Sequence, residues 1–266
     1  MDWVTVGIIA FFLAFIAYDT LCPARGYTRV RGWVLRGLAS FAVYAVLSTV
    51  LPFVWDEWLG AHRLIDGTGL GTWGGAAVGF LSVEVFMYAW HRAMHGNDFL
   101  WRWFHQMHHS AERVDAAGAF YFSPLDMVGW TFLGSLALVW AVGVTPEAAV
   151  VTNVAVTFFA IFTHANIRTP QWLGYFVGRP EMHAVHHERD SHSKNYCDIP
   201  ALDMLFGTYS NPKTFDGEAG FYDGASDRVL EMLLGRDVSA PNVDPVAPSS
   251  LPAGMRPSPE ATDVAA

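Results

Sequence analysis

Eight histidines of this chain fall into three tight groups: His91 and His95; His105, His108 and His109; His183, His186 and His187. Their spacings read HxxxH, HxxHH and HxxHH. Positions three and four apart share one face of a helix, so each group can direct several imidazoles at one place. Only three of the eleven histidines lie outside the pattern. Neutral imidazole is a ligand for zinc, copper, iron and nickel. A structural zinc takes four ligands, and a catalytic zinc three plus an open position. Eight imidazoles exceed the needs of one such ion and suit two ions with about four ligands each. An all-nitrogen set brings no negative charge, so bridging oxide or hydroxide, or carboxylates behind the ligands, are expected to balance the ions. Glu84, Asp98, Glu112, Glu181, Glu188 and Asp198 are close enough in sequence to serve. Glu84 stands seven residues before His91, on the same helix face, and an ionisable group inside a span is functional by default.

The elements that must position these groups read as membrane helices. The chain has 266 residues, 52% of them hydrophobic and only 15% charged. Soluble domains carry about 25% charge. Apolar stretches long enough to cross lipid occur near residues 3–20, 34–55, 73–90, 127–144 and 147–164. The last two are joined by the short turn Val144-Thr145-Pro146-Glu147, as a full hairpin or as a pair that dips in and returns. Arg25, Arg29, Arg31 and Arg36 follow the first stretch. Arg92, Arg102 and Arg113 follow the third, and Arg168, Arg179, Arg189 and Lys194 the fifth. Asp56, Glu57 and Asp66 follow the second, with Arg63 the single cation there. Basic residues collect in cytoplasmic loops, so the first, third and fifth stretches run inward. Every clustered histidine then falls on the cytoplasmic face, with His91 and His95 following the inner end of the third span.

The expected fold is an all-α membrane protein. A bundle of four to five transmembrane helices carries a cytoplasmic helical cap that holds a histidine-rich di-metal site. N-terminal transmembrane helices occupy 1–72, a catalytic region 73–236, and a proline-rich disordered tail 237–266. The apolar start lacks the basic region and cleavage site of a signal peptide and reads as a retained helix. A net charge of −9 without a basic patch argues against nucleic acid as a partner. Cys22 and Cys197 form neither a CxxC pair nor a disulfide framework. Gly67, Gly69 and Gly71 lack the strand-turn-helix context of a nucleotide-binding loop. His62 falls on the opposite membrane face, and His192 lies near the third cluster but off its spacing.

The text around the histidines resembles the fatty acid hydroxylase superfamily, the sterol desaturase-like membrane di-iron oxygenases. It is carried by Trp90-His91-Arg92-Ala93-Met94-His95, Leu100-Trp101 and Phe104-His105-Gln106-Met107-His108-His109-Ser110. It resumes at Phe162-Thr163-His164-Ala165-Asn166 and Pro180-Glu181-Met182-His183-Ala184-Val185-His186-His187. Asn195-Tyr196 and Asp203-Met204-Leu205-Phe206-Gly207-Thr208-Tyr209 close it. The resemblance implies two iron ions held by the eight clustered histidines, with His164 as a further ligand. It also implies dioxygen as co-substrate and electrons from a separate donor protein. The activity implied is hydroxylation or desaturation of a C–H bond in a lipid drawn from the bilayer, be it fatty acyl, sterol-like or ether lipid. The chain departs from many relatives at Tyr121-Phe122-Ser123-Pro124, at Cys197 and at Leu202, positions that bear on the substrate pocket. The abundance of arginine over lysine fits a bacterial inner-membrane protein. Two other classes are weighed against this one. A membrane zinc hydrolase calls for an acidic base such as that of HExxH, which is absent. A metal-binding or transport protein calls for ionisable groups along several spans, and the spans here carry little beyond Glu84.

Overall fold

A computed structural model describes residues 3–241, and among them all regular structure is helical. The chain is a multi-pass membrane protein: five helical stretches are long and apolar enough to cross a bilayer. The first is α1, Trp3–Leu21. The second joins α2, Trp33–Val50, to α3, Pro52–Ala61. Pro52 is tolerated at that junction because the first turn of a helix has no use for its missing N–H. The third is α4, Gly71–Gly96, preceded by a 3₁₀ turn over Gly67–Leu70.

A short histidine-bearing arm follows α4. Asn97 starts it by accepting bonds from the Phe99 and Leu100 N–H groups. The arm runs through α5, Asp98–Leu100, a π-helical turn, Trp101–His105, and α6, Gln106–His109. The next crossing stretch is α7, Pro124–Ser135, continued by a π-helical turn over Leu136–Ala141. The last is α8, Pro146–His164. Ser123 and Thr145 cap these two helices from the residue before a proline, each accepting a bond from the N–H three residues on. Three short helices complete the chain: α9, Pro180–His186, α10, Ala201–Phe206, and α11, Val229–Leu233.

Small residues allow the crossing helices to approach closely. A side chain at Gly75 would meet Ala148, and one at Gly79 would meet Leu138 and Thr152. Gly75 and Gly79 thus form the seam that holds α4 against α8. On the histidine side, Phe12, Trp33, Phe120, Tyr121 and Ile161 build a common core. Asp19, near the end of α1, is buried and accepts the N–H groups of Ala116 and Asn166. Its carboxylate ties two loops of the cap to the first helix, and this is a structural use of an intramembrane acid.

Two sequence expectations about the spans change. The third helix continues to Gly96, so His91 and His95 lie on its final turns and do not follow it. The apolar count ended at Trp90 because the histidines themselves broke the hydropathy pattern. The turn 142–145 joins stretches of 18 and 19 residues. At about 1.5 Å per residue each is about 27–28 Å long, close to the ~30 Å hydrocarbon core, which favours the full hairpin. Of the segment 237–266 expected to be a disordered tail, residues 242–266 lie outside the described residues.

Candidate metal centre

Four pieces of chain converge at one end of the bundle: the last turns of α4, the arm over 98–109, the end of α8, and α9. Their imidazoles sort into two groups. His91, His95, His105, His109 and His186 form one, and His108, His164, His183 and His187 the other; within each group one nitrogen per ring lies within 4.8 Å of all the others. The groups abut, with the rings of His109 and His187 stacked at 4.2 Å.

Each sequence cluster was expected to aim at one place, and the two HxxHH clusters do not. In all three clusters the i, i+4 pair stays together: His91 with His95, His105 with His109, His183 with His187. The i+3 histidine of each HxxHH cluster, His108 or His186, joins the opposite group. The reason is angular. Adjacent residues on a helix point about 100° apart, so His108 and His109 cannot share a centre. One arm therefore feeds both groups.

The ring orientations are fixed by their outer nitrogens. Nδ1 of His91 donates to the Tyr196 carbonyl at 2.8 Å. Nδ1 of His164 donates to the Ala160 carbonyl at 2.7 Å, and Nδ1 of His186 to the Lys194 carbonyl at 2.7 Å. Nδ1 of His105 donates to Oδ2 of Asp126 at 2.9 Å. A neutral imidazole carries one N–H, so in these four rings Nε2 is a bare lone pair directed inward. His91 and His105 then oppose lone pairs at 3.0 Å with no proton between them. Two nitrogens bound about 2.1 Å from one ion at right angles stand about 3.0 Å apart. Nε2 of His95, Nε2 of His186 and both ring nitrogens of His109 are buried without a hydrogen-bond partner. Unpaired buried groups of this kind are costly, and a cation within the five-histidine group would satisfy the inward ones. In the other group the bare Nε2 of His164 faces Nε2 of His108 and of His183 at 3.1 and 3.0 Å, as two ligands of one ion would. The donor set thus fits a pair of transition-metal ions. Burial, more than any other cause, holds the pKa values of His105, His108, His109, His183, His186 and His187 well below 6.5. Neighbouring imidazoles push them lower still, so these rings stay neutral and able to bind metal.

The supporting carboxylates differ from those the sequence offered. None of Glu84, Asp98, Glu112, Glu181, Glu188 and Asp198 hydrogen bonds to a clustered histidine among the described residues. Glu84 instead accepts the Ile199 N–H at 2.8 Å. Glu112 holds Gly224 and Ser226, and Glu181 holds Thr169 and Arg179. The carboxylate behind a ligand is Asp126, at 0% side-chain exposure. It lies in the first turn of α7, just outside the span expected from hydropathy, and for that reason it was missed. A Ser-Pro-x-Asp helix start next to an apolar run was the available signal.

Asn195 and Asp203 set the Tyr196 carbonyl against His91. Asn195 adopts the left-handed conformation and donates to the Met182 carbonyl. Asp203 accepts the Tyr196 N–H. Asn166 pairs with the backbone of Arg25 and so joins the cap to the end of α1. His192 contacts the His186 carbonyl and joins neither group. His62 is exposed, and its ring bonds to the Trp58 carbonyl.

A cavity opens beside the histidines, and His91, His105, His108, His164 and His183 line part of it. Tyr44, Val83, Met87, Phe122, Leu133 and Val156 form apolar wall from α2, α4, the 119–122 loop, α7 and α8. Phe120 and Phe122 also line the cavity. Such a lining suits an apolar molecule that meets the imidazoles.

Residues 76–208 match the family model described as fatty acid hydroxylase. The chain is 27% identical over 139 residues to the sphingolipid C4-hydroxylase sur2 of Schizosaccharomyces pombe, covering 51% of this chain and 47% of that protein. It is 28% identical over 189 residues to the alkylglycerol monooxygenase of Danio rerio, covering 69% and 40%. It is 29% identical over 140 residues to the very-long-chain aldehyde decarbonylase GL1-9 of Oryza sativa subsp. indica, covering 50% and 53%. The chain spans about half or less of these relatives' lengths. No solved structure matches it.

Proposed function

The chain belongs to the fatty acid hydroxylase family, and from that premise we propose that it is a membrane oxygenase acting on a C–H bond of a lipid. The single observation that carries this reading is the pair of imidazole groups, with lone pairs turned inward, beside a largely apolar cavity. His91, His95, His105, His109 and His186 would hold one iron ion, and His108, His164, His183 and His187 the other. When bound, the two ions would supply reduction of dioxygen and oxidation of an unactivated carbon.

The chain's own residues supply geometry and dryness. The Tyr196, Ala160 and Lys194 carbonyls and Asp126 hold four rings in the tautomer that presents Nε2 inward. Asp126 also brings a negative charge beside a centre otherwise made of neutral ligands. Val83, Met87, Phe122, Leu133 and Val156 would grip an acyl or isoprenoid tail and exclude water. The substrate enters from the bilayer, and electrons come from a separate donor protein. From the distribution of arginines we put the histidine end on the cytoplasmic side of a bacterial inner membrane.

The test is lipid profiling of cells expressing the chain or its His108→Ala variant, grown under ¹⁸O-labelled dioxygen. A hydroxylated product gains the label, or an unsaturated one appears, only with the unaltered chain and only in air. A product that persists in the variant, or that forms without oxygen as a hydrolase would make it, overturns the reading.

A further inference from the structure

We propose that the segment from Trp172 to Phe206 carries two elements seated in the membrane, the turn around Trp172–Phe176 and α10, whose outward apolar side chains lie in the same leaflet that the histidine end of α4 crosses. This face belongs to none of the five crossing stretches. The occupant it fits is the lipid bilayer.

The depth of the segment is read against α4. The apolar run of that helix ends at Trp90, and Arg92 is exposed. The Arg92 guanidinium turns back to donate to the Tyr88 hydroxyl at 3.0 Å and lies over the Tyr88 ring. A long basic side chain beside an aromatic ring is the usual marker of the headgroup level. Phe206 stacks on Tyr88 with ring centroids 5.2 Å apart, and the Thr208 hydroxyl meets the Tyr88 hydroxyl at 3.0 Å. The end of α10 is therefore level with Tyr88. Its beginning lies deeper, because the Ile199 N–H donates to Glu84, one helical turn of about 6 Å further along α4. Elements that lie in the membrane interface bury themselves by about 5–10 Å, and α10 falls in that range.

The outward surface matches this depth. Met204, Leu205 and Phe206 are exposed, Leu205 at 72%. The turn Gln171–Tyr175 adds Trp172, Tyr175 and Phe176, exposed at 62%, 59% and 65%. It is held to α10 by Tyr209, whose hydroxyl donates to the Gly174 carbonyl and whose N–H donates to the Asp203 carbonyl. Leu81 and Val85 of α4, at the same level, are exposed as well, as lipid-facing residues of a crossing helix must be. The six outward residues thus continue the lipid-facing surface of α4. Two of them, Trp172 and Tyr175, are of the kind that gathers at the membrane boundary. The inner side of the same segment, Asn195 to Asp198, is cavity wall. One stretch of chain therefore separates the cavity from the leaflet.

The full chain carrying Cys22→Ser and Cys197→Ser would be labelled with a nitroxide after Leu205→Cys or, separately, Trp172→Cys. The serine hydroxyl at 197 retains the partners the thiol has at Ile199 and Asp203. Val85→Cys on α4 and the exposed Lys213→Cys calibrate lipid and water. In nanodiscs of phosphatidylcholine and phosphatidylglycerol, power-saturation spectroscopy compares collisions with oxygen and with a water-soluble nickel chelate. We expect labels at 205 and 172 to favour oxygen several-fold over the label at 213, approaching the label at 85. Labels that collide with the nickel chelate as freely as the one at 213 would overturn the proposal. So would labels shielded from both reagents, which would mean that protein, such as a second copy of the chain, covers this face. The two positions lie on different elements, so failure of one variant to fold leaves the other to decide. Neither outcome depends on the metal or on the reaction.

Discussion

His105 and Asp126 meet through a single hydrogen bond of 2.9 Å between Nδ1 and Oδ2, with both side chains closed to solvent. Of the nine gathered imidazoles, His105 is the one backed by a carboxylate; His91, His164 and His186 lean on backbone carbonyls. The two groups therefore differ in their supporting partners as well as in number. Asp126→Asn keeps the shape and removes the charge. We expect metal affinity at the five-histidine group to fall about 10- to 100-fold, with the four-histidine group little changed. Competition with a graded chelator reads this directly; equal loss from both sites, or no loss, would contradict it.

The crossing of the HxxHH clusters gives a second expectation. His108 and His109 are neighbours in sequence but belong to different groups. His109→Ala and His186→Ala should each cost the same ion, and combining them should cost little more than either alone. Combining His108→Ala with His109→Ala should remove both ions. Metal-to-protein ratios of these variants distinguish a crossed arrangement from one in which each sequence cluster holds its own ion.

Acid should destabilise the metal-free protein. His105, His108, His109, His183, His186 and His187 are held neutral by burial, their pKa values well below the ordinary 6.5. The unfolded chain thus binds more protons than the folded one once the pH drops below that value. Stability is full above about pH 6.5 and falls as the pH decreases. Each such histidine adds up to about 1.4 kcal/mol per pH unit to the slope. Melting temperatures of the detergent-solubilised apo protein across this range check it, and a flat profile would count against buried neutral rings.

Leu133 lines the cavity from α7 and belongs to neither histidine group. Leu133→Trp should narrow the cavity without touching a ligand. We expect turnover of long-tailed lipids to fall roughly ten-fold or more, an amount that about 1.4 kcal/mol of lost binding would produce, while metal content stays unchanged. Loss of metal in this variant would show that the cavity and the centre are not separable.

Much of this was legible in the sequence, and the limits are instructive. The five crossing stretches were readable because hydropathy integrates over many residues. The nine histidines were readable because their spacing is dense and helical, aided by resemblance for His164. The sorting of those histidines was not, since it depends on the crossing of an arm, α8 and α9 that are distant in sequence. Glu84 shares the helix face of His91, which left open whether it supports that ring or bonds to a neighbouring element; it holds the Ile199 N–H, in the loop whose Tyr196 carbonyl meets His91. Asp126 escaped because a helix cap and a metal-supporting carboxylate look alike until a partner is seen. The backbone carbonyls of Ala160, Lys194 and Tyr196 carry no side-chain signature at all.

The most direct test of the account is metal analysis and iron-edge X-ray absorption on the full chain purified from iron-supplied cells. The account predicts two irons per chain, nitrogen scatterers near 2.1 Å and a signal from a neighbouring iron, all abolished when His108 and His109 are both replaced by alanine. A chain that binds at most one ion, or whose metal content survives that double replacement, would contradict it.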